Sequence, residues 1–279
     1  MRALSIFICL LFCCCRVEAE DRSAFAMLWP GADEASAIRD PYEAIVTDRP
    51  DFTEASSTVG LGVSQFEMGY TFYYSDTSRG VSSEHVYPEV LLRQGILTDW
   101  IELRVGQSWS SFRESHDSGT DRQDMYLGTK IGLVPQSGLL PEMAIILQAN
   151  IPSGSGDLEG SQILPGTNLL YSWDLSEGTY LGGGTQVNVV ESPDGGDQGI
   201  ELAQAITMGT QLSQRIGMYG EWFAFIPYDV RAGDVSHWFN TGVTLAYSSD
   251  VQFDARIGSE LSRVGKDIFT GAGVSFRFM

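Results

Sequence analysis

Gln65-Phe66-Glu67-Met68-Gly69-Tyr70-Thr71-Phe72-Tyr73-Tyr74 sets Phe66, Met68, Tyr70, Phe72 and Tyr74 against Gln65, Glu67, Gly69, Thr71 and Tyr73. Character changes at nearly every step, the period of two that a strand with one apolar and one polar face requires. The same alternation returns at Ile101 to Gly106, at Val251 to Gly258 and at Gly271 to Phe278. It continues through the chain in twelve segments: 64–75, 84–97, 100–110, 121–134, 141–151, 164–175, 178–190, 200–212, 216–226, 236–247, 250–259 and 267–278.

Five short polar breaks punctuate them, centred on residues 98, 137, 176, 213 and 249, at steps of 39, 39, 37 and 36. Each interval holds two strands and one longer connection, so the repeat unit is a hairpin plus a loop. The longer connections are 75–80, 111–120, 152–160, 191–199, 227–234 and 259–266. Short turns at one end and long loops at the other, an even strand count, and strands of about 9 to 11 residues describe an outer-membrane barrel. The predicted class is all-β, a twelve-stranded antiparallel transmembrane β-barrel over 63–279, its short turns facing the periplasm.

A soluble sandwich also alternates, burying its apolar face and exposing its polar one. Strand length, loop asymmetry and aromatic residues near strand ends favour the barrel. Tyr74, Trp109, Trp173, Tyr180, Tyr247 and Phe278 suit interfacial girdles.

The N-terminus fits this compartment. Arg2 precedes an apolar run from Ala3 to Cys15, and Val17-Glu18-Ala19 offers a cleavage site, so residues 1–19 read as a signal peptide. All 4 cysteines lie within it, which leaves the mature chain with neither disulfides nor thiolate metal ligands. Removing it leaves 15 Lys+Arg against 35 Asp+Glu, about −20, a charge that repels nucleic acid. No later apolar stretch is long enough for a membrane helix, which leaves a closed barrel as the membrane solution.

Residues 20–62 form a leader containing Val46-Thr47-Asp48-Arg49-Pro50-Asp51-Phe52-Thr53-Glu54. That string, with Pro88-Glu89-Val90-Leu91-Leu92-Arg93, the hairpin from Leu97 to Arg104, Leu127-Gly128-Thr129-Lys130, Pro152-Ser153-Gly154 and the closing Gly271 to Phe278, resembles the outer-membrane family described as "putative MetA-pathway of phenol degradation". The resemblance covers 46–278 and implies a pore or uptake role without fixing a substrate. Family members are often labelled transporters, and the description suggests hydrophobic or aromatic solutes. Met279 after Phe278 departs from the aromatic last residue usual in such barrels.

If the apolar parity faces lipid, Glu67, Glu89, Glu102, Glu221 and Asp254 point inward with Arg93, Arg104, Lys130, Arg256 and Arg277. These ten are the candidate lumen or constriction residues. They select permeants by charge and width, or they form an ion-pair network that closes a structural or surface-interaction barrel. Inward glycines at 95, 106, 182, 184, 258, 271 and 273 relieve crowding or ease curvature. Asp48, Arg49, Pro50, Asp51 and Glu54 either fold back as a plug, with Arg49 meeting lumen acids, or form a periplasmic turn set by Pro50. The turn is the preferred reading.

No enzyme is expected. His116-Asp117-Ser118-Gly119 sits in a polar loop that would not hold a nucleophile against its base. His85, His116 and His237 lack metal-ligand spacing, and no cofactor motif is present. The expected partners are outer-membrane lipid and a small-molecule permeant, with the chain a monomer acting as a passive channel or transporter.

Overall fold

The computed structural model describes residues 44–77, 80–114, 117–191, 198–228, 234–262 and 266–278. The predicted signal peptide, the leader up to residue 43, and His116 lie outside these residues. Fourteen β-segments form one antiparallel sheet: β1 Ser64–Thr77, β2 Gly80–Gly95, β3 Ile101–Gln107, β4 Trp109–Glu114, β5 Asp117–Arg122, β6 Met125–Val134, β7 Glu142–Ile151, β8 Leu164–Ser176, β9 Thr179–Glu191, β10 Gln198–Gln211, β11 Ile216–Tyr228, β12 Ser236–Ala246, β13 Val251–Glu260 and β14 Lys266–Phe278. They make twelve strands of a barrel, because β3 with β4, and β5 with β6, are each one strand interrupted. β2 pairs with β3 through Val90–Gly95 and with β4 through Ser83–Val86. At the interruption the Gln123 N–H donates to the Ser108 carbonyl at 3.0 Å.

β1 pairs with both β2 and β14, which closes the sheet. The closing register matches like faces, Phe66 to Phe276, Met68 to Val274, and Gly69 to Gly273. A slip of one residue would turn Ala272, Val274, Phe276 and Phe278 of β14 inward, so alternation itself fixes the register.

Polarity is inverted relative to a soluble protein. Gln65, Glu67, Arg93, Glu102, Arg104, Lys130 and Glu221 are all at most 1% exposed, while Met208 is 54% and Ile257 57% exposed. Exposed apolar side chains recur on most strands, far more of them than the patches soluble proteins show. A sandwich would bury the apolar set, so the interior charge settles the choice in favour of the membrane barrel.

Two expected loops are strands instead. Thr77 pairs with Gly80, and Glu114 with Asp117, so 75–77 and 111–114 continue as sheet. Ser75-Asp76-Thr77 and Ser111-Phe112-Arg113-Glu114 are mostly polar or charged, and beyond the lipid zone a strand needs no apolar face to remain paired. Tyr180 also departs from expectation: it lines a lumenal cavity and is not part of a girdle. The short turns lie where the breaks placed them, and Gly178 takes a φ of 76°, in the left-handed region that favours glycine.

Candidate functional site

The leader lies inside the barrel. It enters at the short-turn end, where the Ile45 N–H donates to the Ser249 carbonyl at 2.8 Å, and returns to that end where the Gly62 N–H donates to Gly95 at 3.2 Å. This overturns the periplasmic turn: the Pro50 carbonyl accepts from Arg256 Nη1 at 2.9 Å, well within the lumen. The physical reason is the leader's need for backbone acceptors. A strandless segment in a barrel has unpaired N–H groups, and a buried one must find a partner. Wall carboxylates supply them. Glu67 accepts from the Asp48 and Arg49 N–H groups at 3.1 Å, Glu221 from Phe52 at 2.8 Å and Thr53 at 2.6 Å, and Glu102 from Val59 at 2.9 Å. Three inward acids expected to line a pore therefore hold a segment that fills it.

Asp48 is the electrostatic centre. Arg93 Nε approaches it at 3.3 Å and Lys130 Nζ at 3.2 Å, and Arg104 Nη1 donates to the same carboxylate. Arg93 also grips Glu102 with both Nε (2.8 Å) and Nη2 (2.9 Å) and reaches Glu67 at 3.2 Å. Arg104 bonds to Glu54 and to Glu102. Arg93 and Arg104 are direct cross-strand partners, a repulsive pairing unless carboxylates stand between them. Asp48, Glu54, Glu67 and Glu102 are those carboxylates, two from the leader and two from the wall.

Arg49 occupies a second seat. Gly69 and Gly273 face one another across the β1–β14 closure, and a Cβ on either would collide with the Arg49 guanidinium. Their absent side chains make a shallow slot. Gly69 pairs with Glu89 on one side and Gly273 with Asp254 on the other, so acids flank the slot. Arg49 Nη1 reaches Glu89 at 2.7 Å and Nε reaches Asp254 at 3.4 Å. Arg256 lies beside them, 3.9 Å from Glu89. Arg277 does not join this cluster. It pairs with Asp250 at 2.8 Å near the short-turn rim and so belongs to the end of the barrel and not to a constriction.

Sequence reasoning missed a third seat. Phe52 stacks on Phe223 at 4.7 Å between centroids and meets Phe225 edge-on at 5.3 Å. Phe223 in turn stacks on Trp238 at 6.1 Å, and Trp238 meets Phe269 at 5.9 Å. These aromatic residues occupy inward positions of β11, β12 and β14. The signal is present, since Trp222-Phe223-Ala224-Phe225 breaks the apolar/polar alternation, but an all-apolar run does not say which face is the lumen.

Beneath the leader, toward the short turns, lies a cavity of about 530 Å³ lined by leader residues and by Trp100, Glu142, Tyr171, Tyr180 and Tyr219 among others. Asp51, Glu54, Asp99, Glu142 and Asp174 contribute five carboxylates to its wall and Arg49, among the described residues, the one cationic side chain. Among the described residues, no group of three or more His, Cys, Asp or Glu is placed to hold a metal.

Asp48 and Asp51 respond oppositely to pH. Burial acts to raise the Asp48 carboxyl, but Arg93, Lys130 and Arg104 outweigh it and hold it well below the usual range. Its contribution is therefore complete above the ordinary carboxylate pKa of about 3.9 and is lost only in strong acid. Asp51 is pushed well above its usual value by burial and then by the neighbouring Glu221 charge. A raised carboxyl pKa stabilises the seated leader below the unseated value and loses that contribution as pH rises through the seated one. The protection of residues 48–60 against amide exchange, taken relative to the free-peptide rate at each pH, should fall on alkalinisation, and Asp51→Asn should flatten that fall. An unchanged profile in the Asn variant would assign it elsewhere.

An inverted, closed, antiparallel barrel of twelve strands with a filled charged lumen defines the class as an outer-membrane β-barrel protein. The chain belongs to the family described as "Putative MetA-pathway of phenol degradation", whose model matches residues 47–278, from the leader motif to the closing strand. Its fold is similar to the COG4313 outer membrane channel from Pseudomonas putida F1, at TM-score 0.65 and 12% identity over 82% of this chain and 100% of that one. NanC porin gives 0.52 at 9% identity, covering 75% and 98%, and KdgM porin in complex with disordered oligogalacturonate gives 0.51 at 10%, covering 76% and 99%. No curated protein matches.

Proposed function

We propose that this chain is a monomeric, passive outer-membrane channel for small solutes, hydrophobic or aromatic ones among them, closed here by residues 45–62 of its own leader. The observation that carries the reading is what fills the lumen. Eight-stranded barrels are filled by wall side chains and larger ones leave space. Here the space of twelve strands is taken by a separable segment held at charged, hydrogen-bonded and aromatic seats, each of which can be exchanged for water or solute. A purely structural barrel has no need of such a segment. The aromatic inward surface of β11, β12 and β14 supports aromatic solutes, as does the family description.

The test is conductance of the refolded mature protein in planar bilayers. Wild type should show a small, mostly closed conductance, and Arg49→Ala, which empties the Gly69–Gly273 slot, should raise the open fraction by about tenfold or more, the equivalent of one charge-assisted contact. Ions crossing the acidic cavity should be mainly cations, with K⁺ preferred to Cl⁻ in a dilute KCl gradient and the preference fading as salt screens the carboxylates. If neither wild type nor Arg49→Ala conducts, the ion-pair network is a permanent closure and the channel reading falls.

A further inference from the structure

The geometry points to the Phe52 position as a solute-sensing site: a planar aromatic solute takes the place of the Phe52 ring against Phe223 and Phe225 and thereby unseats the leader. The inference rests on the channel reading above and adds to it the trigger for opening.

Among the described residues, Phe52 is the leader's one ring in contact with the inward aromatic wall. Its stacking on Phe223 is near-parallel, 15° between planes, with Phe225 turned edge-on at 84°. One stacked and one perpendicular neighbour are the two arrangements a ring quadrupole favours, so the slot suits any flat ring and is wasted on a branched aliphatic one. The wall continues away from the leader through Trp238, Phe269 and Tyr73, and Tyr73 is 36% exposed. These three lie toward the ends of β12, β14 and β1 that carry the longer connections. A solute arriving from that side thus meets a continuous aromatic path ending at Phe52.

The ring is coupled to closure through its own backbone. The Phe52 and Thr53 N–H groups both donate to Glu221, which also accepts from Asn240 Nδ2 at 3.1 Å. Moving the ring out of the slot carries those two N–H groups away from the carboxylate that satisfies them. Solute and Phe52 compete for one place, so solute binds only the unseated state and shifts the population toward it by its own affinity. No covalent step or energy source is required.

Two readouts test this on the full mature protein, with phenol as the aromatic probe and cyclohexanol as its aliphatic counterpart. The first is open fraction in planar bilayers. The second is mobility of a nitroxide at Ala55→Cys, a unique thiol because all 4 natural cysteines lie in the predicted signal peptide. Phenol should raise the open fraction and mobilise the label saturably, and cyclohexanol should need about tenfold more, the worth of an aromatic contact. Phe52→Ala should be mobile and open without phenol and insensitive to it, while Phe52→Trp should shift the phenol response to higher concentration. Equal action of the two probes, an unaltered response in Phe52→Ala, or a label indifferent to phenol would each overturn the inference. Current without a phenol response leaves the channel reading intact, whereas a mobilised label in a protein that never conducts upholds the slot and overturns the channel.

Discussion

Asp48→Ala is expected to release the leader from the lumen. The carboxylate is shared by Arg93, Arg104 and Lys130, all buried to within 1% of complete. Arg93 and Arg104 retain Glu102 in the variant, but Lys130 has no other ion pair among the described residues and keeps only the Ala55 and Ser57 carbonyls. Removing one member of a buried charged group costs about 3–5 kcal/mol, most of it from the charge left behind. The barrel can avoid this cost by a route a compact core lacks, letting the leader go and hydrating the cations in place. The loss should therefore appear as a gain in conductance and in exchange of residues 48–60, with the heat-modifiable gel mobility of the barrel little changed. Lys130→Met in the Asp48→Ala background removes the stranded charge and should restore much of the closed state. If Asp48→Ala instead unfolds the barrel with no conducting intermediate, the network is a structural core and the leader is not an exchangeable plug.

The wall of this protein is more legible in its sequence than the contents of its lumen. Alternation is set by the strand itself, so Phe66 to Tyr74 and Gly271 to Phe278 declare their faces by residue type alone, and the turns fall at the repeated breaks. The inward parity of Glu67, Arg93, Glu102, Arg104, Lys130, Glu221 and Asp254 follows from the same rule. What these residues face does not follow, because a period of two describes a strand and carries no information about a strandless segment. Asp48 to Glu54 holds polar, proline and aromatic residues in no regular order, compatible with a turn in water or with a segment threaded through a lumen. The distinction lies in long-range pairing: Arg49 with Asp254, Phe52 with Glu221, and Ser56 with Glu142 are contacts between residues 86 to 205 positions apart. The acids look like a filter because their number matches the bases. Their actual use as acceptors for leader N–H groups is visible only once the leader is in place.

Gly95→Ala separates the two roles that the inward glycines can play. Seven such glycines fit either relief of crowding in a pore or easier curvature of the wall, and both roles tolerate a methyl group at modest cost. The leader's backbone makes Gly95 different, whereas of the leader Gly273 meets only a side chain, that of Arg49. A Cβ there would overlap the carbonyl oxygen of Gly60, a backbone atom that no rotamer change can move. That contact is tight because Gly62 N–H donates to the Gly95 carbonyl and Gly95 N–H to Val63 at 2.9 Å, which pins the last leader turn to the end of β2. Gly106, one strand away on β3, offers the contrast: its added Cβ would come within 3.2 Å of the Tyr126 Cβ and meet only side-chain atoms and a more distant backbone oxygen. Overpacking of this kind costs about 1–3 kcal/mol, at the upper end where backbone must shift. Gly95→Ala should thus lift the Gly60 turn and, through it, Val59 from Glu102, raising leader exchange by roughly two orders of magnitude at about 3 kcal/mol. Gly106→Ala should change leader exchange by less than about tenfold, the low end of the same range, and both variants should keep the barrel's mobility shift. Equal and small effects would mean that the leader turn is not pressed against β2, and Gly95, like Gly106, would then answer to curvature alone.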